Sequence, residues 1–291
     1  MSVENMKNML EHARENKYAI GAFDVTDFEM ARHIVAAAEE LRSPVILMAL
    51  ACELDDLGAE VFGATMRSVA QKASVPVCVH LDHAKTYDEI VRAIEYGFTS
   101  VMLDASQYPL EKNIKSTRVA AEYAHSCGVT IEGELGHVGD GATGACWQEA
   151  DENAGSPDVL TEPSELKLFL QETGADAVAV AVGTQHGVYT REPKLDFERL
   201  EKLNQEACVP LVLHGGSGTP DADLKRAVEL GICKVNVFSE IIGAFFTTLK
   251  QTLLHTEQMV IWPSVAFEKP YAALQSVVKE KIMLLGSNDR A

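Results

Sequence analysis

The chain lacks long apolar runs, cysteine pairs and an excess of positive charge, and each absence argues against a class of protein. No apolar run approaches the about 20 residues that a membrane-spanning helix needs, so we expect no membrane partner. The six cysteines are scattered with no C-x-x-C pair, which favours reduced thiols in a cytoplasmic protein over a disulfide framework. The N-terminal residues contain no apolar signal segment, which agrees with a cytoplasmic location.

Basic residues are scarce relative to acidic ones. The chain has 25 Lys and Arg residues against 43 Asp and Glu residues, and its net charge is −18. Non-specific binding of DNA or RNA depends on Lys and Arg side chains that neutralise phosphates, so we expect no nucleic-acid partner. An anionic substrate would need a local site that overrides the field of the whole protein.

A glycine-rich nucleotide-binding turn is also missing. A doubly wound sheet would place G-x-G-x-x-G after the first strand, where residues 24–27 are Asp-Val-Thr-Asp. The chain instead alternates short apolar runs with amphipathic segments, and this unit repeats eight times. Eight strand–helix units in about 250 residues are typical of a (β/α)8 barrel, the TIM barrel. We therefore predict an α/β fold of this type, a single domain over residues 1–291, with additional helices at residues 4–15 and 271–285.

Histidines follow the third, sixth and seventh predicted strands: His83, His186 and His214. Catalytic groups in such barrels come from the C-terminal ends of different strands, so these three should meet. Three imidazoles with an open fourth position form the ligand set of a catalytic zinc ion, and Co²⁺ or Fe²⁺ would also fit. The sequence predicts one such ion per chain, which would polarise a carbonyl and stabilise an enediolate. Taken alone, residues 80–84 also fit two hydrogen-bonded histidines ahead of a helix.

A carboxylate precedes the first of these histidines. Because side chains alternate along a strand, His80 and Asp82 should share one face, with His83 beyond the last paired residue. Asp82 is then placed to transfer a proton beside the metal, and the alternative is that it caps the helix that begins near Thr86. Three further polar residues end predicted strands on the same rim: Asp104, Glu134 and Asn236.

Two short polar segments follow the last two strands. Residues 215–218 are Gly-Gly-Ser-Gly, and residues 236–239 are Asn-Val-Phe-Ser, each ahead of a predicted helix. Backbone N–H groups at a helix N-terminus bind anions, and TIM barrels often bind phosphate at these two loops. The pair predicts a phosphate-bearing substrate, although each segment alone also fits a plain turn.

Five motifs in chain order resemble those of the class II, zinc-dependent fructose- and tagatose-bisphosphate aldolases, the tagatose-bisphosphate branch most closely. The resemblance extends over nearly the whole chain. It implies a (β/α)8 barrel that reversibly cleaves a ketose phosphate into dihydroxyacetone phosphate and an aldehyde through a zinc-stabilised enediolate. The motifs are residues 80–83 (His-Leu-Asp-His), 132–136 (Glu-Gly-Glu-Leu-Gly), 182–187 (Val-Gly-Thr-Gln-His-Gly), 213–218 (Leu-His-Gly-Gly-Ser-Gly) and 234–237 (Lys-Val-Asn-Val).

The resemblance also implies a role for individual residues. Zinc would be held by His83, His186 and His214, and Asp82 would exchange the proton of the substrate C4 hydroxyl. Glu134 and Asp104 would form an alternative or resting metal position. A monovalent cation, Na⁺ or K⁺, is expected near the phosphate, and the assembly would be a homodimer or homotetramer. The residues implied in binding dihydroxyacetone phosphate are Gly187, Gly215, Gly216, Ser217, Asn236, Val237, Phe238 and Ser239.

Several positions depart from the family pattern. Asp24 replaces an Asn, residues 48–52 (Met-Ala-Leu-Ala-Cys) replace Ser, Thr or Gly, and residues 238–239 (Phe-Ser) differ as well. An additional carboxylate at Asp24 would favour a hydroxyl or a cation over an anionic group, so we expect a different aldehyde half. The loop after Glu134 lacks an adjacent acid pair. Its second acid/base would be Glu149, Asp151, Glu152 or none of these, and the loop also fits a solvated insertion without a role.

Two other functions fit a metal-binding barrel. A hydrolase that uses zinc-bound water would need a general base aimed at the water and would have no use for two phosphate loops. A non-catalytic sugar-phosphate binding protein would be expected to have lost a histidine or Asp82, and all of them are present.

Overall fold

Eight parallel strands close into a barrel in which each strand pairs with the next along the chain and the last pairs with the first. This confirms the predicted TIM barrel. The structure is a computed structural model that describes residues 2–51, 54, 56–139, 159–189, 193–257 and 261–291. The strands are β1 (Ile20–Asp24), β2 (Val45–Leu50), β3 (Val77–Ala84), β4 (Ser100–Leu103), β5 (Thr130–Leu135), β6 (Ala177–Val180), β7 (Leu211–Leu213) and β8 (Ile232–Val237).

Helices follow the strands and surround the barrel, and both predicted additional helices are present at the ends of the chain. Each strand is buried on both faces, which explains its near-continuous apolar sequence. The helices are α1 (Met6–Asn16), α2 (Phe28–Glu40), α3 (Asp56–Lys72), α4 (Tyr87–Glu95), α5 (Leu110–Ser126), α6 (Pro163–Thr173), α7 (Phe197–Glu206), α8 (Asp221–Glu229), α9 (Ser239–Leu254) and α10 (Pro263–Leu285).

Helix α1 closes the N-terminal end of the barrel. Met6 and Leu10 of this helix are fully buried in a cluster with Ile20 and Ile46 from the strands. Because apolar side chains fill this end, a polar ligand must bind at the opposite rim, where the C-terminal ends of the strands lie.

The helix that follows β3 is capped by its own sequence. Thr86 Oγ1 accepts a hydrogen bond from the Glu89 N–H (3.3 Å), and Glu89 Oε2 accepts one from the Thr86 N–H (2.8 Å). This capping box satisfies the first turn of α4. The alternative interpretation of Asp82 as the cap is therefore wrong, since Asp82 lies within β3 and is buried.

Strand β3 continues further than predicted. We expected His83 beyond the last paired residue, but the strand reaches Ala84, which pairs with Leu103. The register shifts between Leu81 and Ala84, and His83 has a φ of 51°. This is a β-bulge with a side-chain-bearing residue in the left-handed region, a conformation that is uncommon for residues other than glycine.

The C-terminal helix begins earlier than predicted. It starts at Pro263 rather than at residue 271, and Pro270 lies inside it. A proline in a helix interior removes a backbone hydrogen bond and disfavours a helix that continues through it. Here Pro270 and Tyr271 are buried, and this packing stabilises the longer helix. No helix among the described residues, this one included, is long and apolar enough to cross a membrane.

Candidate metal centre and active site

The three predicted histidines meet at the C-terminal rim of the barrel. His83 belongs to the bulge of β3, His186 to the loop after β6, and His214 directly follows β7. His214 Nδ1 lies 3.0 Å from His83 Nε2 and 3.3 Å from His186 Nε2. Nitrogens that share a tetrahedral zinc ion at the usual Zn–N length lie about 3.3 Å apart. The three ring nitrogens therefore fit a single metal ion.

The outer nitrogens of two of these rings are held by carboxylates. His83 Nδ1 lies 3.1 Å from Asp104 Oδ2, and His214 Nε2 lies 3.0 Å from Glu132 Oε1. Such a contact fixes the tautomer, because the nitrogen that donates to a carboxylate leaves the other nitrogen as a metal ligand. Each of these two rings, when it is neutral, consequently directs a lone pair toward the point where the histidines meet.

The bulge explains how neighbouring residues in β3 both reach this centre. In a regular strand, Asp82 and His83 would point to opposite faces. Here Asp82 Oδ2 lies 3.8 Å from His83 Nε2. On the other side, His80 Nε2 is 3.6 Å from Asp82 Oδ1, which confirms that His80 and Asp82 share one face.

Asp82 is an ionised carboxylate at this centre. It is buried, and Asn236 Nδ2 donates to its two oxygens at 3.2 Å and 3.4 Å. Burial opposes ionisation, but His83 and His80 outweigh it and hold the pKa of Asp82 well below its usual range. Asp82 therefore has the ionised form that a general base needs beside the histidines.

The carboxylates around His83 make the centre attractive to a cation. Burial alone would lower the pKa of His83, but Asp82 and Asp104, with Glu134, raise it to about 10. A high pKa means that the His83 ring holds a second proton, which is attracted by these carboxylates. A metal ion that replaces that proton would be attracted by the same negative charges. Burial lowers the pKa of His214 to about 4, so this ring is neutral, which is the form that binds metals.

Glu134 and Asp104 form a second group of potential ligands with His83. One ligand atom from each of the three lies within 4.8 Å of the others. Asp104 Oδ2 also contacts Lys85 Nζ, while Glu134 Oε1 accepts a hydrogen bond from the Val138 N–H (3.1 Å). Burial, followed by the charge of Asp104, raises the pKa of Glu134 to about 8. Their role as a resting metal position stays a prediction.

Unpaired buried polar atoms are concentrated in this part of the barrel. An unpaired buried polar group costs about 1–3 kcal/mol, so a cluster of them indicates a site built for a ligand. The donor set therefore fits a metal ion together with a polar substrate. Within the described residues, the buried side-chain atoms that lack a hydrogen-bond partner are Asp24 Oδ1, His80 Nε2, Glu134 Oε2, Thr184 Oγ1 and Asn236 Oδ1.

Asp24 lies at the end of β1 with an unpaired oxygen. Burial, and then the negative charge of Asp82, raise the pKa of Asp24 to about 8. At neutral pH this carboxyl group is therefore mostly protonated, and it can donate a hydrogen bond to a substrate hydroxyl. A second anionic group beside it would be repelled once Asp24 loses its proton.

The two predicted phosphate-binding segments lie side by side, but some of their donors already have partners. The Gly216 N–H donates to the Asn236 carbonyl (2.9 Å). Ser217 Oγ accepts hydrogen bonds from the N–H groups of Phe238 (3.0 Å) and Glu240 (3.3 Å). The Ser217 hydroxyl proton and the Ser239 N–H at the start of α9 are the donors that stay candidates for holding an anion.

Glycines allow the loops of this rim to approach one another. Gly215 has a φ of 67°, and a Cβ there would lie 2.2 Å from the Gln185 carbonyl oxygen. Gly187, next to a predicted ligand, also has a positive φ of 80°. The side chain of Val237 packs in the hydrophobic core, so only its backbone could contact a substrate.

Sequence analysis missed a buried charged network beneath the histidines. Glu132 and Lys234 are fully buried and lie 2.9 Å apart, with His80 beside them. Burial raises the pKa of Glu132, but Lys234 and His214 outweigh it and lower this pKa to about 2. Their positions in the sequence could have indicated this network. Glu132 lies two residues before Glu134, and Lys234 lies two residues before Asn236, so each pair shares one face of its strand.

The residues named as candidates for a second acid/base lie outside the described residues. This applies to all three candidates, Glu149, Asp151 and Glu152, and also to the last residue of segment 48–52. The other predicted site residues are described. They lie at the C-terminal ends of the strands or in the loops that follow them, except Ser239, which is the first residue of α9.

Comparisons with known proteins agree with this geometry. A family model described as class-II fructose-bisphosphate aldolase matches residues 4–290. The uncharacterised protein YdjI of Escherichia coli (strain K12) is 39% identical over 283 residues, which are 96% of each chain. A fructose-bisphosphate aldolase of Geobacillus stearothermophilus is 37% identical over 296 residues, 100% of this chain and 99% of that protein. The crystal structure of the YdjI aldolase superposes with a TM-score of 0.85 at 34% identity, over 99% of both chains.

Proposed function

This chain belongs to the class II fructose-bisphosphate aldolase family and is therefore an aldolase, a carbon–carbon lyase. We propose that it reversibly cleaves a phosphorylated ketose into dihydroxyacetone phosphate and an aldehyde, and that it uses one zinc ion to do so. The observation that carries the proposal is the meeting of three histidine nitrogens beside an ionised, buried Asp82. Family membership argues against the two alternatives, a zinc hydrolase and a non-catalytic binding protein.

The proposed ligands are His83 and His186 through Nε2 and His214 through Nδ1. When bound, zinc supplies Lewis-acid polarisation of the substrate carbonyl. Asp104 and Glu132 hold the outer nitrogens of two ligand rings, which keeps those rings in the binding tautomer.

Asp82 is proposed as the group that moves the proton in the C–C cleavage step. As a carboxylate it would take the proton from the C4 hydroxyl during cleavage and return it during condensation. The Asn236 amide, which donates to both oxygens of Asp82, holds the carboxylate in place. Because Asp82 is buried, water competes poorly for this proton.

The phosphate of dihydroxyacetone phosphate is proposed to lie between the loops after β7 and β8. The Ser217 hydroxyl and Ser239 at the start of α9 are the polar groups that support this assignment. Gly187, Gly215 and Gly216 would let the substrate approach the backbone closely. A Na⁺ or K⁺ ion beside the phosphate is part of the proposal, and it rests on the family resemblance.

We also propose that residues 1–291 form one domain, that the protein assembles as a homodimer or homotetramer, and that it acts in the cytoplasm. The four cysteines within the described residues are free, which supports a reducing compartment: Cys78, Cys127, Cys208 and Cys233.

The aldehyde half of the substrate should differ from that of fructose 1,6-bisphosphate. We expect dihydroxyacetone phosphate to condense readily with unphosphorylated hydroxyaldehydes and poorly with glyceraldehyde 3-phosphate. The preference should be strongest above about pH 8, where Asp24 is ionised and repels an anionic group. The measurement is the consumption of dihydroxyacetone phosphate with a panel of aldehydes. The matched variant Asp24→Asn restores the residue that is usual in the family, and it should shift the preference toward glyceraldehyde 3-phosphate by about tenfold or more.

Two results would contradict this prediction. Glyceraldehyde 3-phosphate could be the best aldehyde for the unmodified chain, which would remove the proposed role of Asp24. Unphosphorylated dihydroxyacetone could be used as readily as its phosphate, which would remove the proposed phosphate site.

A further inference from the structure

A lysine lies in the interior of the barrel, below the metal centre. Lys234 is on β8, two residues before Asn236, and its side chain is fully buried. Its ammonium lies 2.9 Å from Glu132 Oε2, and the side chain of Glu132 is also fully buried. Replacing such a pair with apolar residues is often neutral or stabilising, so a gain in fold stability does not account for it.

The carboxylate of Glu132 connects Lys234 to a proposed ligand. Its Oε2 contacts the lysine, and its Oε1 accepts a hydrogen bond from His214 Nε2 (3.0 Å). The opposite nitrogen of the same ring, Nδ1, faces His83 and His186. The orientation of the His214 ring therefore depends on where Glu132 is held.

The lysine also occupies a position that could otherwise attract a cation. His80, Asp82 and Glu132 offer ligand atoms within 4.8 Å of one another, and all three are buried. The ammonium of Lys234 already neutralises Glu132 at this point. Without it, two buried carboxylates would lie on either side of His80, at 3.6 Å and 3.8 Å from its Nε2, with no fixed cation between them.

We propose that Lys234 is a positioning residue of the metal centre: its buried ammonium holds Glu132, and Glu132 in turn fixes the His214 ring with Nδ1 toward His83 and His186. This inference rests on the proposed metal-dependent function, but it concerns metal affinity and not the choice of substrate. Mutation of a group that orients a metal ligand through a hydrogen bond typically changes metal affinity by about 10–100-fold.

The experiment measures Zn²⁺ affinity by competition with a chromophoric chelator in a double-mutant cycle. Lys234→Met should weaken Zn²⁺ binding by about 10–100-fold. In the Glu132→Gln background the same substitution should have no further effect, because a neutral amide can face His214 without a cation behind it. The absorption of bound Co²⁺ should change in Lys234→Met, since a displaced His214 ring alters the ligand geometry.

Lys281→Met is the matched control. Lys281 is also buried and paired, with Glu240 Oε2 at 2.7 Å, but it lies on α10 away from the histidines. The Lys281→Met variant should be less stable than the unmodified chain, but its Zn²⁺ affinity should be unchanged. If Lys234→Met fails to fold, the comparison of Glu132→Gln with Glu132→Gln/Lys234→Met decides: equal affinities support the proposal, and a tenfold weaker double variant overturns it.

Other outcomes separate this inference from the proposed function. The role of Lys234 alone would be overturned if Lys234→Met bound Zn²⁺ within twofold of the unmodified chain. It would also be overturned if Lys234→Met weakened Zn²⁺ binding equally in the unmodified chain and in the Glu132→Gln variant. An unmodified chain that binds no Zn²⁺ would overturn both the positioning role and the proposed metal-dependent function.

Discussion

Replacement of His83, His186 or His214 by Ala should leave a chain without tightly bound zinc and without measurable cleavage of a ketose phosphate. Each histidine contributes one of the three nitrogens that converge within the described residues, so its loss leaves two, too few for a stable catalytic zinc site. Zinc content per chain and the release of dihydroxyacetone phosphate are the two measurements. Both should fall together in each variant.

The matched control for these variants is His255→Ala. His255 is exposed at the C-terminal end of α9, where its Nδ1 contacts the Gln251 carbonyl oxygen of the same helix. This variant should keep both zinc and activity. A variant of any of the three clustered histidines that retained one zinc per chain and full turnover would remove that residue from the proposed ligand set.

Asp82→Asn should keep the metal and the fold but lower kcat for cleavage by about 10²–10⁴. An amide has nearly the shape of a carboxylate, but it cannot take the proton from the substrate hydroxyl. The amide can still accept a hydrogen bond from Asn236 through its oxygen, so the local packing should survive. The measurements are kcat, KM and zinc content, and we expect the loss in kcat alone.

Asp88→Asn provides the control for that substitution. Asp88 is exposed in the first turn of α4, in the same strand–helix unit as Asp82. It should change stability by less than about 1 kcal/mol and leave kcat unchanged. If Asp82→Asn kept kcat within twofold of the unmodified chain, Asp82 would not be the group that transfers the proton.

The barrel and the histidine cluster could be predicted because their signals are local. Buried parallel strands appear in the sequence as short apolar runs, and amphipathic helical segments separate them, so the number of strand–helix units can be counted. Once eight units are counted, the closed barrel brings His83, His186 and His214 to one rim even though His83 and His214 are 131 residues apart.

Features that depend on pairing across the barrel could not be predicted in the same way. Glu132 and Lys234 are separated by 102 residues, and each alone resembles an unremarkable charge in an apolar strand. The bulge at His83 results from the register between β3 and β4, which local alternation does not reveal. The N–H groups of Gly216 and Phe238, which the sequence pattern assigns to a substrate phosphate, instead donate to the Asn236 carbonyl and to Ser217 Oγ of the neighbouring loop.

The most direct test of metal-dependent aldol cleavage compares one preparation before and after chelation and again after reloading with zinc. The release of dihydroxyacetone phosphate from a panel of ketose phosphates is followed in a coupled assay in all three states. We predict that chelation abolishes release and that one equivalent of Zn²⁺ per chain restores it. Full release by the metal-free chain would contradict the account.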